Sequence, residues 1–285
     1  MNKKFLLVAA FITFIFADSS FAADIGLGEG YHVPDGFDKI LITSSDGTAI
    51  QNAVDHIKDG GTVELSGKFL LKKNISINKN LTLKGVDNAL LSRDKKVSAT
   101  FCIIKCEGSH DITLENLTII GGIKSRGGGI NISGGRITII SCDIHDNFAW
   151  LGGGGIISLA ETLTLKSCDI YHNKCGLLGG GIYICSPTVT ITGCKITSND
   201  GVFSGGGLAA SSSDITMTNC VITGNRSTYE GHGVSIQRNT KLATISCNIS
   251  GNLIMSSDKG LPSSADVSCD PNSTYIINEE TVESK

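Results

Sequence analysis

The sequence predicts an all-β fold: a single-stranded right-handed parallel β-helix with three-strand coils of about 26 residues and an N-terminal capping helix. Three observations carry this. Gly-rich strand starts recur at Gly127-Gly128-Gly129-Ile130, Gly153-Gly154-Gly155-Ile156, Gly179-Gly180-Gly181-Ile182 and Gly205-Gly206-Gly207-Leu208, with a weaker copy at Gly231-His232-Gly233-Val234, so Ile130 to Val234 advances in steps of 26 residues. The motif Cys-x-Ile-x-x-Asn keeps the same beat at Cys142, Cys168, Cys194 and Cys220, and returns at Cys247 after one extra residue. Between the two lies an alternating stretch, seen in Ile137-Thr138-Ile139, Leu163-Thr164-Leu165, Val189-Thr190-Ile191 and Ile215-Thr216-Met217. Three short strands of period two, with no helix between them, make one turn of a solenoid whose like residues stack at about 4.8 Å.

The elements follow in chain order. Lys3 and Lys4, the apolar run from Phe5 to Phe16 and Ser20-Phe21-Ala22 read as a signal peptide over residues 1–22, cleaved after Ala22. No later segment approaches the roughly 20 apolar residues of a membrane span. The mature chain is therefore expected to be secreted, at a cell surface or in a periplasm. Residues 23–45 read as a linker. The β-helix domain is expected over 46–278 and opens with a cap helix at about 48–58. There Ile50, Val54 and Ile57 share one face, Asp46 or Thr48 can cap the start, and Gly60-Gly61 ends it. Irregular coils follow through Thr62–Leu65, Phe69–Leu71, Ile75–Ile77 and Leu81–Leu83, then regular coils over about 100–252. Past Leu253 the period fades into a partial coil, and 279–285 read as a disordered tail.

Parity assigns the side chains. Ile, Leu and the cysteines 142, 168, 194, 220 and 247 point inward, where a stacked thiol behaves as a small hydrophobe and parallel Cβ vectors disfavour bridging. Cys102 and Cys106 share the inward parity of Ile104. Cys175, Cys185 and Cys269 fall off this ladder and are the better disulfide candidates, with no pairing deducible. Thr82, Thr113, Thr138, Thr164, Thr190 and Thr216 point out. Asn147, Asn173, Asn199 and Asn225 sit where each coil turns; Asn tolerates left-handed backbone, and stacked amides can bond one another. The formal charge of -3 becomes -4 when Lys3, Lys4 and Asp18 leave with the leader. A nucleic-acid partner would need a basic stripe.

The paired motifs Gly-Gly-Gly-Ile and Ile-x-x-Asn, the latter from Ile144 to Asn147, Ile170 to Asn173 and Ile196 to Asn199, resemble the GGA(I/L/V) and FxxN repeats of chlamydial-type polymorphic outer membrane proteins, within the pectin-lyase-like β-helix superfamily. The resemblance covers roughly residues 46–255. It implies the β-helix fold and surface display, with Ile in place of the Phe of FxxN. The chain ends at Lys285 without room for the C-terminal translocation barrel of those proteins, so tethering by that route is not expected.

In β-helix lyases and polygalacturonases, the resemblance would place chemistry on the outer face of the Gly-rich strand. The outward positions there are Asn131 and Ser133, Ile157 and Leu159, Tyr183 and Cys185, Ala209 and Ser211, Ser235 and Gln237, with no carboxylate, Arg, Lys or His among them. Glycoside cleavage asks for converging carboxylates and calcium for acidic oxygens. No metal site and no cofactor are expected. The next strand carries the catalytic candidates, Asp143, His145, Asp169 and His172, with Asp146, Tyr171 and Lys195 nearby; the alternative is a solvated polar face with an Asp169–Lys195 pair. A third ladder, Leu151, Leu177, Phe203 and Tyr229, with Trp150 and Val202 adjacent, either forms an exposed apolar stripe for binding or closes a corner of the core. The core reading is favoured.

The expected function is a noncatalytic adhesion or recognition protein whose partner is a polysaccharide or a host or envelope protein. A polysaccharide lyase or glycoside hydrolase of the same fold is the alternative, and a structural envelope protein a third.

Overall fold

A computed structural model describes residues 36–43, 47–255 and 266–278, with the backbone of two short strands, Phe14–Ile15 and Ala22–Asp24. The rest of the leader and linker, Asp46 and the tail from residue 279 lie outside the described residues.

The chain winds as a parallel β-solenoid of about eight turns. Eight strands, from Ile75–Ile77 through Ile130–Ile132, Ile156–Ser158, Ile182–Ile184 and Leu208–Ser211 to Val267–Cys269, form the Gly-strand sheet. An 18-stranded sheet takes two strands of each regular coil, such as Arg136–Ile140 and Asp143–His145. These are the three strands per period that the sequence implies. A fourth short strand follows the turn of each coil, after Gly122 in the first and directly after the Asn in the others. Ile123–Arg126, Phe148–Gly152, Lys174–Cys175, Asp200–Gly201, Arg226–Ser227 and Leu253–Ile254 pair as a six-stranded sheet.

Register makes like stack on like. Ile130, Ile156, Ile182, Leu208 and Val234 are successive partners, as are Thr138, Thr164, Thr190 and Thr216. The inward Ile, Leu and Val side chains merge into one continuous core, each stabilised by roughly 1.5–3 kcal/mol on leaving water. All ten cysteines are free. Cys142, Cys168, Cys194 and Cys220 are buried, and Cys247 is half-buried in the last regular coil. Burial pushes the Cys106 and Cys142 thiols well above the ordinary thiol range. Cys175 is buried, Cys185 half-buried and Cys269 exposed, so the three proposed bridge-formers sit in unlike surroundings and remain unpaired.

The asparagines form the expected amide ladder. Asn147 Nδ2 donates to Asn173 Oδ1 at 3.0 Å, Asn173 to Asn199 at 3.1 Å, Asn199 to Asn225 at 3.0 Å and Asn225 to Asn252 at 2.9 Å. The ladder ends on a carboxylate, Asp266 Oδ1, 2.8 Å from Asn252 Nδ2. The reason given for asparagine needs correcting. The left-handed residue is the one before it: Asp146, His172, Ser198, Gly224 and Gly251 have φ between 52° and 67°. Asn is required by the amide bonds it makes inside the turn, since a buried polar group must be paired.

The helix spans Gly47–His56 and buries Ala49, Ile50, Ala53 and Val54, with Ile57 buried just beyond it. Its Gln51 amide bonds the edge of the Gly-strand sheet twice: Ser76 N donates to Oε1 at 2.8 Å, and Nε2 donates to Ser76 O at 3.1 Å. The solenoid begins before residue 46, because Lys39–Ile42 pairs in parallel with Thr62–Leu65 and Ile40 and Ile42 are fully buried.

Candidate functional site

The strand after each cysteine builds a polar face. Asp143, Asp169 and Lys195 hold one position on three successive coils. His145 lies flat over Tyr171, with ring centroids 4.5 Å apart and planes 12° apart, and its Nδ1 is 2.7 Å from Asp146 Oδ2. Lys195 Nζ is 3.6 Å from Asp169 Oδ2. Burial, and next the charge of Asp169, hold the Asp143 carboxyl above the ordinary carboxylate range. These candidates do not converge on one cavity. Asp143 lines a cleft of about 470 Å³ with Lys84, Asp87, Asn116 and Ser141. His172 lines another of about 450 Å³ with Asp146, Lys174, Ser198, Asp200 and Arg226. Among the described residues no group of three or more His, Cys, Asp or Glu is placed to hold a metal ion. The polar face thus offers ion pairs and hydrogen-bonding groups around a stacked imidazole–phenol pair, and its carboxylates divide between the two clefts, Asp87 with Asp143 in one and Asp146 with Asp200 in the other.

The fourth strand supplies a polar column that the sequence reading missed. Lys174, Asp200 and Arg226 are register partners there. Arg226 grips Asp200 bidentately, Nε to Oδ1 and Nη2 to Oδ2 both at 2.8 Å, and that contact holds the Arg226 guanidinium above its usual pKa. The 26-residue spacing of Phe148, Lys174, Asp200 and Arg226, each directly after the Asn of its coil, was the available signal.

Beside this column runs the apolar ladder, and it is exposed, contrary to the core reading. Trp150, Leu151, Leu177, Val202, Phe203 and Tyr229 keep 42–51% of their surface in water. The inward column of the same strands is Ala149, Cys175, Gly201 and Ser227, all buried. The small column is closely surrounded: a Cβ on Gly201 would lie 2.9 Å from Gly205 O and 3.0 Å from Gly180 N. A register irregularity between Lys124 and Arg126, opposite Ala149 and Gly152, turns the consecutive Trp150 and Leu151 outward together. Phe148 meets Trp150 edge-on at 5.0 Å, and Phe203 lies against Tyr229 at 4.8 Å. The structure therefore brings Trp150, Leu151, Leu177, Phe203 and Tyr229 into one row along the solenoid, next to the cleft lined by His172, Lys174, Asp200 and Arg226.

The outer Gly-strand face is more closed than its parity suggests. Ile157, Ala209, Ser211 and Ser235 point outward yet are buried. The glycine corner folds over them: a Cβ on Gly127 would lie 2.5 Å from Ile157 Cγ2, and one on Gly205 would lie 2.7 Å from Ala209 Cβ. Glycine at φ +63° and +65° is what permits this approach.

The helix Gly47–His56 is too short to cross a membrane, and no helix among the described residues is long and apolar enough to do so. No curated protein and no solved structure matches this chain. The family model described as right handed beta helix region matches residues 83–248, more than half of the 285 residues. Its span takes in every regular coil from the Leu83 rung to Asn248, together with the polar face and the apolar row, and on that ground the chain belongs to the right-handed β-helix family.

Proposed function

We propose that this chain is an exported, noncatalytic recognition protein that holds an extended glycan along its apolar row. The observation that carries the reading is the row itself. Six large apolar side chains stand half in water on consecutive coils, flanked by a charged column and a polar cleft. Contiguous exposed apolar surface of this kind marks interaction sites. Aromatic faces with polar groups beside them suit a ring-faced, hydroxylated polymer, whose rings stack while its hydroxyls bond Lys174, Asp200 and Arg226. The straight course of the row along the solenoid suits a linear ligand. Export rests on the leader-like segment, and a surface role on the likeness to polymorphic outer membrane protein repeats. The helix Gly47–His56 fits the part of a cap, because Gln51 bonds Ser76 at the sheet edge.

The test is binding of the purified chain to an array of neutral and acidic polysaccharides, repeated with Trp150→Ala, Phe203→Ala and Tyr229→Ala. Each substitution is expected to weaken binding at least tenfold, about 1.4 kcal/mol, without changing the fold. Retention of full affinity by all three would refute the row as the site. A lyase or hydrolase reading draws on one observation, the raised Asp143 carboxyl beside Asp169. Release of sugar ends that is lost in Asp143→Asn would favour it.

A further inference from the structure

A second binding site follows from the Gly-strand face, independently of the apolar row. Tyr183, Ala209 and Ser235 are register partners on three successive coils, as are Ser211 and Gln237 on two. Ala209 lies between the larger Tyr183 and the side chains of the next coil, and the missing volume is a cavity of about 40 Å³ lined by Tyr183, Ser211, Ser235, Gln237 and Arg238, with Leu178 on its wall. A single water needs roughly 10–15 Å³ of cavity, so the space holds about three, the bulk of a small polyatomic group.

The polar lining points to the charge of its occupant. Ser235 is 1% exposed, and its Oγ is buried with no hydrogen-bond partner. A buried orphan hydroxyl costs free energy unless something completes it. Ser211, Ser235 and Gln237 each bring a donor, the Tyr183 hydroxyl is engaged with Cys185, and no Asp or Glu lines the cavity. The guanidinium of exposed Arg238 enters no salt bridge among the described residues. The nearby carboxylate of Asp270 is engaged by the Arg238 backbone instead, with N to Oδ2 at 2.9 Å. We infer that this cavity binds a small oxyanion, a carboxylate or sulfate group, with Arg238 as the counter-charge and the Ser235 hydroxyl as the buried donor.

The experiment is calorimetric titration of the intact chain with sodium sulfate and sodium acetate, with sodium chloride at matched ionic strength as control. One saturable site for either oxyanion, absent for chloride, is expected. Arg238→Gln should weaken it at least tenfold, and the exposed position of Arg238 keeps that variant folded. Ser235→Ala should weaken it several-fold while melting no lower than the parent in the absence of anion, because the deleted hydroxyl bonds nothing in the free protein. No saturable heat, binding retained within twofold by both variants, or a lowered melting temperature in Ser235→Ala would each overturn the assignment.

Discussion

The amide ladder can be tested at its centre with Asn199→Ala. Asn199 is fully buried. Its Oδ1 accepts from Asn173 N at 3.0 Å and from Asn173 Nδ2 at 3.1 Å, while its Nδ2 donates to Ile170 O at 2.9 Å and to Asn225 Oδ1 at 3.0 Å. Truncation orphans two donors on Asn173 and removes one donor from each of two acceptors. Asn225 Oδ1 keeps the Asn199 backbone N–H at 2.9 Å, so its loss is partial. At about 1–3 kcal/mol for each uncompensated buried group, the two orphaned donors alone set the cost at about 2–6 kcal/mol. The Asn173→Ala/Asn199→Ala double variant should cost less than the two single losses combined, because it removes the Asn173 Nδ2 donor that the single Asn199→Ala change strands. Global denaturation of a repeat array need not be two-state, so hydrogen exchange at the Asn173 amide should be read beside the urea midpoint. A loss below about 1 kcal/mol with unchanged protection at Asn173 would show that the ladder contributes little, and that its asparagines only shape the turn.

Three further outcomes follow from the same structure. Ellman's reagent on the native chain should titrate Cys269 fast and Cys185 and Cys247 more slowly, leaving the seven buried thiols silent until unfolding; a fourth early thiol would place one of the inward cysteines in water. Gly180→Ala should cost several kcal/mol and lower soluble yield, because its Cβ would collide with the Asp200 backbone and Gly206 O; a melting temperature within 2 °C of the parent would mean that the corner can widen, since about 1 kcal/mol moves a chain of this size by roughly that amount. Asp143→Asn should stabilise at neutral pH, with the gain shrinking to nothing as pH falls below about 4. The folded carboxyl is raised by burial and by Asp169. Its neutral form is therefore favoured in the fold, and ionisation is penalised as pH climbs through the folded pKa. Melting curves at pH 3.5 and 7 decide this, and a loss of stability at pH 7 would reverse the sign.

The solenoid was legible because its interior repeats. Ile130 to Val234, Cys142 to Cys220 and Asn147 to Asn225 each keep a 26-residue step, and residues that stack in the fold recur in the sequence. Legibility ended where parity ends. Trp150 and Leu151 are neighbours yet both face water, because a register irregularity interrupts the alternation in Phe148–Gly152. The clue was a column of small residues, Ala149, Cys175, Gly201 and Ser227, which takes the inward side of these strands. Arg238 escaped for a related reason. It stands one residue past the strand Val234–Gln237 with φ at 54°, where alternation along the strand says nothing about direction. The left-handed turn residue was placed one position late, on Asn147 instead of Asp146, since asparagine suits such backbone and the sequence cannot separate that preference from a demand for its amide.

Inside and outside obey different rules, and the difference locates function. Most inward columns keep one residue type or a close relative, as Ile130 to Val234 does, because each rung must fit between its neighbours, and the column Ala149, Cys175, Gly201 and Ser227 varies but stays small. Outward columns are under no such demand: Thr138, Thr164, Thr190 and Thr216 repeat, but Asp143, Asp169, Lys195, Val221 and Asn248 share one position, and Asn131, Ile157, Tyr183, Ala209 and Ser235 another. The row Leu151, Leu177, Phe203, Tyr229 is outward yet stays large and apolar on four coils. Packing does not explain it, because these side chains remain half in water and help to fill no core. Turn geometry does not explain it either, since the left-handed positions of that corner fall on Gly153, Gly179, Gly205 and Gly231, two residues further on. An apolar column that the fold does not need is best explained by something that covers it.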